Sequence, residues 1–569
     1  MATTLGGYLL VLAVLGPFTG VLIGLLLGGR HAQRVASLTL LAGLGCAVAI
    51  LLSWLESGAP LVYLLGGWSP PLGIALRADG ISVAMILAVS VVICGIALYA
   101  RADFGLPSGA AEKRAPLIFW LLLMAIWGSL NLVFVSGDLF TLYVALELLT
   151  FAGVPLVCLD GKAETLRAAL RYLLFALAGS VLYLLGAVLI YGGYGTLDIT
   201  LLGQTVRPEP IAWAAAALMT VGLLAKTALF PLHIWLPPAH AGAPAAASAM
   251  LSALVIKGSW FLVVRLWFDV MPAVITLPSA QVLAALGASA IVVGSVVALR
   301  QQRLKLLVAY STIAQIGYLF LMFPLAFDAA TGMLVHGAVL TGGLLQAISH
   351  ATAKAGMFMA AGLIYAALGH DRINDLAGLA RALPLTVLTF AISGLALMGV
   401  VPSGAYLAKK LLLDAADASG QWWWTAVLQC GAMFTAGYVV LILSRALRRP
   451  ATPLVLVKQV SRLSELAALS LALCSLLLAG LALVGSPASN LSPDLIKNPL
   501  ALKELGNTLL VLAVGALLAW GFAPGAVFSS LGKGFENLDA WLRRWATASL
   551  AMLSLAGLFG WLMIREVLR

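Results

Sequence analysis

Apolar runs long enough to cross a lipid bilayer recur from one end of this chain to the other. They lie near 7–28, 35–55, 80–100, 116–135, 139–159, 171–192, 211–230, 244–267, 282–299, 305–325, 344–368, 384–408, 425–445, 463–485, 507–524 and 548–566. At about 1.5 Å of rise per residue, about 20 residues of helix cross the hydrocarbon. Backbone polar groups find no water there, so a spanning segment must be a helix or part of a closed barrel. Runs this long and this rich in Leu and Ala predict helices. The expected fold class is an all-α polytopic membrane protein with about 14–16 transmembrane helices. Composition closes the soluble alternative: of 569 residues, 62% are hydrophobic and 10% charged, where soluble domains carry about 25% charged residues.

The net charge of +11 takes its meaning from position. Arg30, Arg34, Lys113, Arg114, Lys162, Arg167, Arg171, Arg300, Arg303, Lys305, Arg445, Arg448, Arg449, Lys458 and Arg462 follow odd-numbered runs. Loops after even-numbered runs hold Arg77, Arg207 and little else before the C-terminus. The positive-inside rule makes the odd loops cytoplasmic, which puts the N-terminus on the non-cytoplasmic side of a cell (inner, cytoplasmic) membrane. The charge is thus topological, and no nucleic-acid partner is implied. The first run follows no basic segment and precedes no small-residue cleavage site, so 7–28 reads as a retained span. Cys46, Cys94, Cys158, Cys430 and Cys474 show no CxxC spacing, which argues against iron–sulfur, haem or zinc sites. Phosphate loops, dinucleotide fingerprints and nucleophile elbows are missing from the sequence. No cofactor, no metal and no catalytic group of its own are therefore expected.

Two segments depart from simple spans. Residues 56–79 contain Gly66-Gly67-Trp68-Ser69-Pro70-Pro71 and predict an external hairpin. Residues 525–547 set Phe535, Leu538, Leu542 and Trp545 against Lys533, Glu536, Arg543 and Arg544, the pattern of an amphipathic interfacial helix. Neither carries an expected catalytic role.

Charge at mid-bilayer costs about 2.5–3.5 kcal/mol on insertion scales, so each such residue is a functional candidate. Glu147 lies inside GDLFTLYVALELLTFAGVPLV, Lys226 just ahead of Pro231, Pro237 and Pro238, and Lys257 inside SAMLSALVIKGSWFLVVRL. His350 and Lys354 stand one turn apart on the eleventh run, and Lys409 with Lys410 follows GVVPSGAYLA. Of this last pair, one side chain should face the bundle and the other the interface. Asp138 and Lys305 are secondary candidates near run ends, where caps and snorkelling residues are ordinary. His233 and His240 flank a proline-rich break, and His336 stands beside a loop, where a packing role is equally natural.

Pro231 and Pro402 each interrupt a run within a turn or two of a lysine, because proline removes a backbone donor and clashes with the preceding turn. Broken backbone at membrane depth is tolerated where it is buried in protein or lines a hydrated cavity, and one break in each half suggests inverted repeats. Burial disfavours the charged form of Lys and Glu, and a nearby opposite charge restores it. A line of lysines with a glutamate is then suited to relaying protons, while mid-membrane acids are too few for a dedicated sodium or potassium site.

The stretches GGWSPPLGIALRADGIS, GDLFTLYVALELLTFAGVPLV, AKTALFPLHIWLPPAHAGAPAAASAMLSALVIKG, RLKLLVAYSTIAQIGYLFL, SHATAKAGMFMAAGLIY and GVVPSGAYLAKKLLL resemble, in order, the antiporter-like proton-translocating subunits shared by respiratory complex I, membrane-bound hydrogenases and Mrp-type sodium/proton antiporters. The resemblance covers residues 60–415, and its spacing H-x-W-L-P-x-A-H-x-x-A-P is highly specific. It implies two inverted five-helix repeats, each with a proline-broken helix, over 116–268 and 282–445. N-terminal helices over 1–115 and C-terminal helices over 446–569 would flank them. It also implies that Glu147 pairs with Lys226, that Lys257 passes protons toward His350 or Lys354, and that Lys409 stands at the exit. This chain has Val401-Pro402 where the family commonly has two prolines, and Lys410 where an aromatic is usual, so either Lys409 or Lys410 could be the terminal group.

Pro450, Pro453, Pro487, Pro493 and Pro499 divide the tail into ordinary spans rather than one long lateral helix. That favours an Mrp-, hydrogenase- or complex I subunit 5-like member over the distal complex I subunit. Implied partners are the lipid bilayer and other membrane subunits, with redox or antiporter modules supplying energy; the whole would then carry an activity of the NADH:quinone oxidoreductase or hydrogenase type. The alternatives are a proton-conducting partner of an inorganic-carbon uptake complex and a non-conducting structural arm.

Overall fold

The computed structural model describes residues 2–105, 114–328, 331–450, 454–484, 495 and 501–565. Lys113, Pro453, Pro487, Pro493 and Pro499 lie outside them. Fifteen helices among the described residues are long and apolar enough to cross a membrane, so the chain is a multi-pass helical membrane protein.

Helices α1 (Gly7–Leu27) and α2 (Gly29–Ser57) precede strands β1 (Leu61–Leu64) and β2 (Ala75–Ala78). The strands form the expected hairpin, antiparallel, with Leu61 opposite Ala78 and Leu64 opposite Ala75. Gly66 and Gly67 beside β1 have φ of 64° and 78°, a left-handed conformation that glycine adopts without steric cost. Next come α3 (Gly80–Phe104), α4 (Arg114–Val135), α5 (Leu139–Val157), α6 (Ala163–Tyr194), the short α7 (Ile199–Thr205), α8 (Pro210–Thr227) and the short α9 (Leu236–Gly242). Helix α10 (Ala245–Val270) contains π turns at Leu251–Val255 and Leu266–Val270. It is followed by α11 (Leu277–Leu299), α12 (Leu304–Leu325) and α13 (Ala338–Leu368). The pair α14 (Pro384–Met398) and α15 (Gly404–Ala418) leads to α16 (Trp422–Ala446). The tail holds α17 (Arg462–Gly480), α18 (Leu502–Gly521), α19 (Ser529–Leu542) and α20 (Trp545–Arg565). Among the described residues, no tail helix exceeds the 21 residues of α20.

The seventh and twelfth runs are the interrupted ones. Helix α8 stops at Thr227, where Ala228 takes a left-handed φ of 58°. Pro231 then offers no N–H to resume the ladder. In the twelfth run α14 ends at Gly399, with φ 76°, and α15 restarts under the cap of Ser403, whose hydroxyl accepts from the Tyr406 N–H at 3.1 Å. This break is why the sixteen apolar runs give fifteen long helices.

The chain forms two compact units. One comprises residues 1–227, 242–279 and 550–569, and the other 228–241 and 280–549. In the first, α6 crosses α8 so closely that a Cβ on Gly179 would lie 2.7 Å from the Gly222 carbonyl oxygen, and one on Gly222 would lie 2.3 Å from that of Gly179. Small residues permit such contact between spanning helices. The second unit uses the same device at Gly287 and Gly317, between α11 and α12.

On α19, Leu538 is exposed, as is Trp545 at the start of α20, whereas Leu542 and the acidic Asp539 are buried. Asp539 goes inward because His233 and Tyr310 meet it there, while Arg543, four residues on, bonds it from the same helix.

Candidate ion-translocation site

In the first unit α5 supplies Glu147 and Thr150, α6 supplies Ser180, and the last turn of α8 supplies Lys226. The Lys226 ammonium lies 2.9 Å from Glu147 Oε1, 2.6 Å from Ser180 Oγ and 2.9 Å from Thr150 Oγ1. An ammonium has three donors, and here three oxygens receive them. Ser180 in turn donates to the same Glu147 oxygen. Lys226 is 7% exposed and Glu147 9%, so the pair stands almost wholly out of water. Position adds to charge: Lys226 sits where α8 ends, and the unpaired carbonyls of a helix C-terminus favour a cation. The Gly179–Gly222 crossing brings Ser180 to it.

Glu147 Oε2 has no hydrogen-bond partner among the described residues. A cavity of about 10 Å³ lined by Leu146, Thr150, Tyr172, Lys226, Val255 and Ser259, among others, adjoins the pair. That is room for about one water. Lys257 is buried on α10 and donates to the Ser252 carbonyl at 2.7 Å across the first π turn. Asp138 has a different role. Its carboxylate caps α5, accepting from the Thr141 N–H at 2.8 Å, the ordinary role of an acidic N-cap.

In the second unit Lys354 is buried on α13 and donates to Ser311 Oγ and, at 3.2 Å, to the Val308 carbonyl. No carboxylate lies within ion-pair distance of it among the described residues. His350 is buried one turn earlier on the same helix. His240, on α9, stacks on Phe358 with ring centroids 4.7 Å apart. Lys305 lies 5.8 Å from the Tyr365 ring centre. Lys409 is buried on α15; its ammonium donates to the Met398 carbonyl at 2.6 Å and sits 5.1 Å above the Tyr318 ring. Lys410 points elsewhere, is partly exposed and pairs with Asp414 at 2.5 Å. Both line a cavity of about 570 Å³, together with Asp414, Asp417 and Glu504.

A polar stripe on α12 stands between these lysines. Ser311 touches Lys354, Gln315 donates to Thr435 and Tyr438 of α16 at 3.1 and 3.2 Å, and Tyr318 lies under Lys409. The spacing of four and three residues keeps all three on one helix face. Gly431 makes the room, since a Cβ there would fall 2.2 Å from the Tyr318 hydroxyl.

His233, on the broken segment, is 1% exposed. Its Nε2 lies 2.8 Å from Asp539 Oδ1, while Oδ2 accepts from the Tyr310 hydroxyl at 2.7 Å and Arg543 Nε at 2.8 Å. Burial opposes ionisation of Asp539, yet the hydrogen bond from His233, the Arg543 charge and the Tyr310 hydroxyl hold its carboxyl below the usual range. His336 is exposed in the loop before α13.

The sequence does not single out Ser180, Thr150, Ser311, Gln315, Tyr318 or Asp539, which the structure places in these networks. Hydroxyls and amides inside apolar runs carry little signal alone. The usable one was spacing: Ser311, Gln315 and Tyr318 fall at helical intervals in STIAQIGY.

Helices broken beside buried lysines, one of them ion-paired, define a polytopic membrane protein with a few charged groups buried within its spans. Residues 136–435 match the family described as NADH:quinone oxidoreductase/Mrp antiporter, transmembrane region, and the chain belongs to that family. It is 33% identical over 410 residues to NADH-quinone oxidoreductase subunit N of Desulforudis audaxviator, covering 71% of this chain and 79% of that one. It is 27% identical over 361 residues to a Na(+)/H(+) antiporter subunit of Bacillus subtilis, covering 63% and 70%. The fold matches a chain of the Mrp complex of Dietzia sp. with TM-score 0.74 at 23% identity, covering 93% of this chain and 100% of that chain. A chain of the archaeal membrane-bound sulfane sulfur reductase gives TM-score 0.74 at 23% identity, covering 90% and 99%.

Proposed function

We propose that this chain translocates protons across the membrane as one subunit of a larger membrane assembly, and that it catalyses no reaction alone. The observation that carries this is the Lys226–Glu147 pair, buried and cradled by two hydroxyls at the end of a broken helix. Buried ionisable groups in spanning helices are costly and mark ion paths. Lys257, His350, Lys354 and Lys409 are the further relay groups. Lys409, rather than Lys410, is the terminal one, because it is buried yet borders the 570 Å³ cavity. The Lys/Arg asymmetry supports a non-cytoplasmic N-terminus, which puts that cavity on the non-cytoplasmic side. Assembly with partner subunits is supported by relatives whose names mark them as parts of oxidoreductases and antiporters.

The test uses the native assembly, purified through a tag on this chain and reconstituted into liposomes with a pH-sensitive dye inside. A potassium diffusion potential drives proton entry. Lys226→Ala and Glu147→Gln should each abolish the proton flux while the assembly stays intact. Normal flux in both variants would refute the proposal and favour a non-conducting structural arm.

A further inference from the structure

His233 and Asp539 form a buried pair that the proposed relay does not use. His233 belongs to the segment matched by the family, at residues 136–435, whereas Asp539 lies about a hundred residues beyond its end. The carboxylate arrives on α19, a helix of charged and apolar residues whose Asp539 is 2% exposed. Helix α19 is held within the second unit by further contacts: Glu536 pairs with Arg300 at 2.9 Å, and Asp539 accepts from Tyr310 of α12. An acid with three such donors is a fixed point rather than a solvated side chain.

What the pair can do follows from the two ring nitrogens. Nε2 faces the carboxylate, so the neutral ring carries its hydrogen there. Nδ1 is then the basic nitrogen. It is buried and has no hydrogen-bond partner among the described residues. The Phe230 ring stacked at 5.4 Å and the Asp539 bond hold the imidazole in orientation. A carboxylate on one nitrogen fixes the tautomer and stabilises the imidazolium formed when the other takes a proton.

We infer that Asp539 of the C-terminal helix is a positioning residue that makes His233 a proton-exchanging group at the first helix break. The inference rests on the proton-translocation reading. In the step, a proton adds to Nδ1 and forms an N–H bond, giving an imidazolium that faces the Asp539 carboxylate. Release breaks the same Nδ1–H bond, and Nε2–H stays with Asp539. Arg543, bonded to the far carboxylate oxygen, keeps Asp539 ionised throughout. The tail helix is thereby part of the conducting machinery rather than a belt around it.

The same liposome assay tests this, with Lys226→Ala as reference. Asp539→Asn keeps the shape but loses the charge and the fixed acceptor; it should lower proton flux about tenfold or more, with the assembly intact. Tyr310→Phe removes a hydrogen bond and leaves the carboxylate, so its flux should stay within about twofold of wild type. Wild-type flux in Asp539→Asn, alongside a dead Lys226→Ala, would overturn the role of Asp539 and leave the relay standing. Flux lost equally in Asp539→Asn and Tyr310→Phe, or lost only with assembly, would make the cluster structural and overturn it too. Normal flux in Lys226→Ala would instead sink the underlying reading.

Discussion

Lys226 and Lys354 are both buried ammonium groups within spanning helices, yet one meets a carboxylate at 2.9 Å and the other a serine hydroxyl and a carbonyl. Lys409 resembles Lys354, with the Met398 carbonyl and the Tyr318 ring face for company. The difference concerns what is left when a proton departs. Deprotonating Lys226 strands a buried Glu147 charge. Deprotonating Lys354 or Lys409 strands nothing. At these lysines the first unit holds a charge pair, whereas the second holds single charges.

The largest test removes one partner at a time. Lys226→Met or Glu147→Leu alone leaves a buried charge without its counter-ion and should destabilise the first unit by about 3–5 kcal/mol. The double substitution should be more stable than either single one, because well-packed apolar groups replace buried ion pairs at little cost. All three should be inactive. Denaturation of the full chain in detergent measures this, and additive losses in the double variant would break the contrast.

Lys354→Met and Lys409→Met supply the other arm. Each should abolish proton flux yet lower stability by only about 1 kcal/mol, the scale of a lost hydrogen bond. A loss as large as that of Lys226→Met would reveal a hidden counter-charge, and the two units would no longer differ.

This contrast was only half legible in the sequence. Glu147, Lys226, Lys257 and Lys354 stand out because charge inside an apolar run is rare, and the broken helices are visible as prolines beside lysines. Which lysine has a carboxylate depends on packing between helices far apart in the chain: residues 147, 180 and 226 meet because Gly179 and Gly222 let two helices nearly touch. Asp539 illustrates the opposite failure. On an amphipathic helix an acid is ordinarily a solvated residue, and nothing in its local pattern says that Tyr310 and His233 will receive it.

The crossing that assembles the first unit's pair offers a smaller perturbation. Gly222→Ala would place a methyl 2.3 Å from the Gly179 carbonyl oxygen, so the helices must part, at about 1–3 kcal/mol. Ser180 would move with them, and flux should fall several-fold without a charge being altered. An unchanged melting temperature would show that α6 and α8 can separate freely there.

The first unit pairs its charges at the membrane edge as well. Arg265 contacts Asp79 at 2.6 Å and Asp269 at 2.8 Å. Although burial opposes it, the Arg265 charge and hydrogen bond hold Asp79 down at about 2, from an ordinary 3.8. A carboxylate whose folded value is depressed contributes stability that is complete above its unfolded value and is lost as pH falls through the folded one. The contribution is on the order of 2 kcal/mol. Melting temperature in detergent should therefore drop between pH 4 and 2, and Asp79→Asn should remove part of that drop. An identical acid profile in the variant would assign the loss to other carboxylates.

The smallest expected effect separates two adjacent lysines. Lys410 is partly exposed and pairs with Asp414 four residues on, a surface contact typically worth about 0.3–0.5 kcal/mol. Its neighbour Lys409 is buried and has no carboxylate partner among the described residues. Lys410→Ala should leave proton flux within about twofold of wild type and stability within about half a kcal/mol, while Lys409→Ala stops the flux. If Lys410→Ala were the dead variant, the terminal group would be a lysine already paired with a carboxylate. Both units would then end on an ion pair, and their contrast would reduce to Lys354 alone.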